Sequence, residues 1–143
     1  MNRRQFLRLV YGASVALAGA QTISAAPFFF PVYTPPRHIR YFRAADEWDI
    51  PRRGVRMIEF SGPGRKFRAY MARTPGGLLV LSPVCSHLGC LVAWNDAKGE
   101  FDCPCHGGRY DISGIVIGGP PPRPLSRLPY KIENGSLMVG LEV

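Results

Sequence analysis

Cys85-Ser86-His87-Leu88-Gly89-Cys90 and, after 12 intervening residues, Cys103-Pro104-Cys105-His106-Gly107-Gly108 form the stretch from which the rest of this chain is read. All four cysteines and two of the three histidines of the 143 residues fall inside it. Thiolate is a soft, strongly donating ligand and neutral imidazole a weaker one. A mixed set therefore suits zinc or an iron–sulfur cluster whose iron atoms are unequal. Two boxes, each offering one sulfur and one nitrogen, can cap a [2Fe-2S] unit with both sulfurs on one iron and both nitrogens on the other. A single zinc ion needs its ligands converging on one point and leaves two cysteines unexplained.

The two boxes resemble those of Rieske iron–sulfur proteins, and they match the subclass found in cytochrome bc and bf complexes. The resemblance implies that Cys85 and Cys103 ligate an inner iron and that His87 and His106 ligate the outer, solvent-facing one. It also implies a disulfide between Cys90 and Cys105; spacing alone leaves the pairing open, because four cysteines allow several connectivities. In such centres two histidines replace two cysteines on one iron, and potentials lie at roughly −150 to +300 mV against about −400 mV for plant-type ferredoxins. Neutral imidazoles leave the oxidised cluster less negative, so an added electron costs less. Soluble Rieske ferredoxins that feed ring-hydroxylating oxygenases generally lack the second cysteine pair, so Cys90 and Cys105 argue against that type.

Neighbouring residues refine the resemblance. Tyr110 stands where respiratory members carry a tyrosine whose hydroxyl bonds a ligand sulfur and raises the potential. Gly108 is a departure, because most high-potential members have a serine there that donates to a bridging sulfide. The expected potential is therefore below that of serine-bearing relatives, as in members that oxidise menaquinol rather than ubiquinol. Leu88 falls at the position of the family's exposed apolar tip, which docks on the quinol site. The run Gly118-Gly119-Pro120-Pro121-Pro122-Arg123-Pro124 resembles the family's proline loop, a stiff lid whose prolines fix φ and remove backbone donors.

Outward from the boxes the pattern is all-β. Val55 to Phe60 and Lys66 to Arg73 flank Ser61-Gly62-Pro63-Gly64, and Pro75-Gly76-Gly77 leads into Leu78 to Leu81. Leu91 to Trp94 and Glu100 to Cys103 flank another turn. Asn134-Gly135 joins Leu128 to Ile132 with Leu137 to Leu141. Ala44 to Trp48 reads as one helical turn. The expected architecture is a small antiparallel Rieske-type β domain over 38–143, with a cluster-binding subdomain inserted at about 83–122.

Asn2-Arg3-Arg4-Gln5-Phe6-Leu7-Arg8 resembles a twin-arginine export signal. That pathway moves folded proteins and so suits one whose cofactor is inserted before transport. Leu9 to Pro36 carries no charge, and its first 18 residues reach the lower limit of roughly 17 to 25 for a spanning helix. Residues 1–26 are therefore expected to form a signal and single transmembrane anchor helix. Residues 27–37 follow as an interfacial and tether segment, with Phe28, Phe29, Phe30 and Tyr33 as an aromatic belt and Thr34-Pro35-Pro36 as a semi-rigid link.

The net charge of +8 raises nucleic acid as a partner, but the basic residues form no recognised nucleic-acid motif. Arg37 to Arg73 holds ten cations against four acids, and this face is read as meeting anionic membrane lipid or a partner subunit, with a merely solvated face as the alternative. The resemblance implies an electron-transfer subunit, not catalytic alone, in a membrane quinol:cytochrome oxidoreductase. Its partners would be a cytochrome b-type subunit, quinol and a c-type cytochrome, with the head outside the bacterial cytoplasmic membrane. The alternative is the small subunit of a periplasmic oxidase of the arsenite-oxidase type.

Overall fold

The computed structural model describes residues 2–29 and 38–142. The chain divides into two units, Met1–Pro36 and Arg37–Val143, and each is described by itself.

The first unit contains α1, Arg3–Phe29, 27 residues long. Its start is set by a reciprocal cap: the Gln5 N–H donates to Asn2 Oδ1 at 2.9 Å, and the Asn2 N–H donates to Gln5 Oε1 at 3.1 Å. These bonds satisfy donors that the first helical turn leaves without partners. The expected transmembrane helix is corrected here. Among the described residues, no helix is long and apolar enough to cross a membrane. Gly12, Ser14 and Gly19 dilute the apolar run, and Arg3, Arg4 and Arg8 crowd its first turns. The proposed tether Thr34-Pro35-Pro36 lies outside the described residues, as do Phe30 and Tyr33.

The second unit is antiparallel β. Among the described residues it comprises β1 (Ile39–Asp46), a 3-10 turn (Glu47–Asp49), β2 (Gly54–Gly62), β3 (Arg65–Thr74), β4 (Gly77–Leu81), β5 (Ala93–Asn95), β6 (Glu100–Asp102), β7 (Arg109–Tyr110), β8 (Val116–Gly118), β9 (Tyr130–Glu133) and β10 (Ser136–Glu142). Three sheets result, in the orders β1-β10-β9, β2-β3-β4 and β5-β6-β7-β8. The Asn134-Gly135 hairpin forms as its residues demand, with φ of 50° and 70°, the left-handed pair of a two-residue turn. Ala44 to Asp46 is strand rather than helix, and only Glu47–Asp49 coils. Pairing with β10 decides this: Asp46 faces Ser136, and a bulge between Arg43 and Ala45 absorbs the extra residue.

The central strand β3 separates two cores. Side chains alternate along a strand, so Ala69 and Met71 enter one core with Ile58, Phe60, Val80, Leu137 and Val139. Tyr70 and Ala72 enter the other, with Leu81, Val92, Phe101, Tyr110, Leu125 and the two cysteines Cys85 and Cys103. The first core belongs to the base of the domain. The second is the floor on which the sulfur-bearing loops rest.

Candidate metal centre

Two loops with one backbone pattern build the site. In loop 85–90, the Cys85 N–H donates to the Cys90 carbonyl at 2.7 Å and the Gly89 N–H donates to the Cys85 carbonyl at 3.1 Å. In loop 103–108, the Cys103 N–H donates to the Gly108 carbonyl at 2.7 Å and the Gly107 N–H to the Cys103 carbonyl at 3.1 Å. Gly89 and Gly107, with φ of 79° and 67°, supply the left-handed step that a side chain disfavours. The Val84–Leu91 bridge closes the first loop, and the Asp102–Arg109 pair of β6 and β7 closes the second.

This backbone sorts the donors by depth. Cys85 and Cys103 are 3% and 4% exposed, and both carry free thiols. His87 is half-buried and His106 exposed, and their rings lie 4.9 Å apart at 88°. A disulfide joins Cys90 to Cys105 across a Cα–Cα distance of 6.6 Å. The sulfurs of Cys90, Cys103 and Cys105 lie within 4.8 Å of one another. With two of the three committed to the disulfide, that trio is no ligand set in this state.

The buried side is hydrogen-bonded. Tyr110 Oη sits 3.1 Å from Cys85 Sγ and accepts the Ser86 N–H at 3.1 Å. Ser86 Oγ lies 3.3 Å from the same hydroxyl and donates to the Arg123 carbonyl at 2.6 Å. With the Ser86 hydroxyl proton on that carbonyl, the Tyr110 proton is free to point at the Cys85 sulfur. Burial pushes the Cys85 thiol up, but hydrogen bonds from Tyr110, the His87 and Leu88 backbone and Cys103 outweigh it and hold the thiol below its ordinary value. Burial, then the bond to Cys85, push the Tyr110 hydroxyl up, so it stays protonated and able to donate.

The proline run packs on both loops. Pro121 is buried, whereas Pro120 is exposed. A Cβ placed on Gly108 would meet Pro121 Cγ at 2.6 Å, and one on Gly119 would meet the Gly107 carbonyl oxygen at 2.5 Å. Glycine at 108 therefore lets the proline ring close down where a serine would hold it off. Leu88 stands 69% exposed beside the imidazoles. Ser86, Pro121 and the Arg123 carbonyl were not singled out in the sequence. The one signal for Ser86 was its place between two ligand-type residues, and nothing local marks a carbonyl 37 residues away.

The donors fit a dinuclear iron–sulfur group. Two imidazoles on one tetrahedral ion, with metal–nitrogen bonds of about 2.0–2.1 Å, bring their rings to about the separation seen for His87 and His106. Free thiols behind them supply the second, buried end. Soft sulfur inside and imidazole outside define a class of protein: a carrier of an unequally ligated [2Fe-2S] centre.

Comparison with known proteins agrees. The Rieske [2Fe-2S] domain family matches residues 43–129, and the chain belongs to that family, with one [2Fe-2S] cluster as its cofactor. It is 33% identical over 150 residues to the cytochrome b6-f complex iron-sulfur subunit 2 of Nostoc sp. (strain PCC 7120), covering 97% of this chain and 84% of that protein. To the cytochrome b6-f complex iron-sulfur subunit of Chlorobaculum thiosulfatiphilum it is 29% identical, covering 96% and 74%. A solved chain of a hyperthermophilic respiratory Complex III is 31% identical, with a TM-score of 0.52 over 92% of this chain and 97% of that one. The plasma membrane Rieske protein of Synechocystis PCC 6803 is 26% identical, with a TM-score of 0.54 over 68% and 96%.

Proposed function

We propose that this chain is the electron-transfer subunit of a bc-type quinol:cytochrome c oxidoreductase. The observation that carries the reading is the polarity of the site: thiols only 3% and 4% exposed, a half-buried His87 and an exposed His106 outside them, and a disulfide between their loops. Likeness along nearly the whole chain to subunits named for b6-f complexes and Complex III supports it.

Cys85 and Cys103 would hold one iron, and His87 and His106 the other. When bound, the cluster supplies a one-electron redox centre. The outward ring nitrogen of His87 or His106 accepts a hydrogen bond from the quinol hydroxyl, takes its proton, and later releases it to the outer aqueous phase. Leu88 offers the quinol site an apolar contact. Tyr110 stabilises negative charge at Cys85 and so favours the reduced state. The disulfide keeps the loops from splaying and admitting water, and the proline run covers them from a third side. The head then passes its electron to a c-type cytochrome and returns to a cytochrome b-type subunit.

The chain is placed at the bacterial cytoplasmic membrane with its head outside. The resemblance to a twin-arginine signal supports this, as does a relative named as a plasma membrane protein. A groove of about 750 Å³ is lined by Val84, Leu91, Leu128 and Leu141 with Arg65, Lys66 and Arg68; Glu59 also lines it and pairs with Lys66 and Arg68, so its excess positive charge is small.

The test is purification in mild detergent, followed by identification of what accompanies the chain and paramagnetic resonance after dithionite reduction. A b-type and a c-type cytochrome, with a reduced-cluster signal, are expected. A molybdenum subunit in their place would favour the periplasmic-oxidase reading, and a colourless, iron-free chain would end both.

A further inference from the structure

The sulfur of Cys103 lies within 4.8 Å of both sulfurs of the Cys90–Cys105 disulfide. Cys103 is 4% exposed and its thiol is free. A buried thiol is shielded from dissolved oxidants and thiols, so the electrophile nearest to it is inside the protein. Thiol–disulfide exchange needs only a thiolate and an accessible disulfide sulfur, and holding the two together replaces a bimolecular encounter by an intramolecular one.

We propose that Cys103 is an exchange nucleophile toward the Cys90–Cys105 disulfide whenever it is not bound to iron. The Cys103 thiolate attacks Cys90 or Cys105. A new S–S bond forms to the attacked sulfur, the Cys90–Cys105 bond breaks, and the other cysteine leaves as a thiolate. Electrons balance within the chain, and no external oxidant or reductant takes part. Iron ligation at Cys103 removes the nucleophile, so the cluster protects the disulfide as the disulfide holds the loops around the cluster.

The consequence is an order of assembly. A chain that forms its disulfide before receiving its cluster, or loses the cluster afterwards, exchanges into a form whose Cys103 sulfur is consumed. That form takes iron only after the released thiolate has attacked back, or a reductant has freed Cys103. Cys85 supplies an internal control. It is equally buried and free and touches Cys103, but it does not belong to the trio that holds the disulfide. It can therefore be linked only after Cys103, although it is only five positions from Cys90 in sequence. Random scrambling in an unfolded chain would consume it as readily as Cys103.

The protective half of this inference rests on Cys103 being a cluster ligand, whereas the exchange itself concerns the cluster-free chain. The experiment starts from the full-length protein with its cluster. Iron is removed with a chelator under anaerobic, non-reducing conditions, samples are acid-quenched over time and alkylated, and the disulfide peptides are mapped by mass spectrometry. Expected are partial loss of the Cys90–Cys105 peptide and appearance of a peptide cross-linked through Cys103 while Cys85 is still alkylated. Rebuilding with iron and sulfide should be slower before treatment with dithiothreitol than after it. Cluster-free Cys103→Ser should keep the Cys90–Cys105 peptide throughout. Persistence of the native pairing in the wild-type cluster-free chain would overturn the proposal, and so would scrambling in which Cys85 is linked as early as Cys103. A chain that never holds iron would defeat the functional reading instead, because the exchange can be followed in it all the same.

Discussion

Loops 85–90 and 103–108 are the same backbone carrying different chemistry. Both close with an N–H to carbonyl bond of 2.7 Å spanning five residues and a 3.1 Å bond spanning four, and both turn on a left-handed glycine. Both begin with a buried free cysteine. Beyond that the sequences diverge. The third position is His87 in one and Cys105 in the other, the fourth is Leu88 or His106, and the sixth is Cys90 or Gly108. The disulfide therefore runs from the sixth position of the first loop to the third of the second. The comparison teaches that the shared turn fixes where sulfur goes, while the residues at the rim decide what is bonded to that sulfur and what faces water. The first loop has Tyr110 and Ser86 behind it. The second has the Pro121 ring against its glycine.

The hardest blow to this near-symmetry is removal of either first residue. Cys85→Ser and Cys103→Ser should each abolish the cluster, read as loss of iron and of the reduced-state resonance, with the β domain still folded by far-ultraviolet circular dichroism. Retention of the cluster in either variant would show that the loops are not equivalent in ligation.

Next comes the cross-link. A disulfide closing about 15 residues contributes on the order of 3 kcal/mol through the unfolded chain. Cys90→Ser should therefore lower cluster occupancy and the thermal midpoint of the cluster-bearing subdomain more than that of the base. Unchanged occupancy and midpoint would mean that the matched backbone bonds suffice to hold the loops.

Tyr110→Phe removes the hydroxyl that separates the two loops electronically. One hydrogen bond worth about 1.4 kcal/mol corresponds to ~60 mV for a one-electron couple, so the midpoint should fall by tens of millivolts in a redox titration. An unchanged midpoint would show that the Ser86 and His87 backbone compensates.

Gly108→Ser is expected to act in the opposite sense, but only if Pro121 yields. The added Cβ would lie 2.6 Å from the proline ring, so the single variant should lose thermal stability. Gly108→Ser with Pro121→Ala should recover that stability and show the higher potential of a serine-bearing site. A rise in potential in the single variant with no loss of stability would mean the proline run moves freely.

The smallest effect concerns the strand that leads into the second loop. Hydrogen bonding from Asn95, then from Lys98, outweighs partial burial and holds the Asp102 carboxyl below its usual range. Its stabilisation is present above the unfolded carboxyl value and is lost as pH falls through the depressed folded one. Thermal midpoints of wild type and Asp102→Asn should differ slightly near neutrality and converge in acid. A gap that persists in acid would assign the effect to packing.

Much of this was legible before any coordinates. The hairpin turns announce themselves because Pro63-Gly64 and Asn134-Gly135 have few other uses between apolar runs. The first strand was not legible. Arg40 and Arg43 hide its period, and what makes Ile39–Asp46 extended is the ladder to β10, which no local window contains.

The depth order of the donors came only from the family resemblance; by itself the sequence determined the candidate donor residues, two glycine-hinged boxes, and the hairpins that carry them. All of these follow from residue types within a few positions of one another. Tertiary structure alone decided that Pro121 rather than Pro120 seals Gly108 and that Ser86 joins Tyr110 to the Arg123 carbonyl, and it joins Cys90 to Cys105 as the family resemblance implied. Each is a meeting of groups from different loops, distant in sequence. Local propensity carries no information about which distant partner the fold delivers.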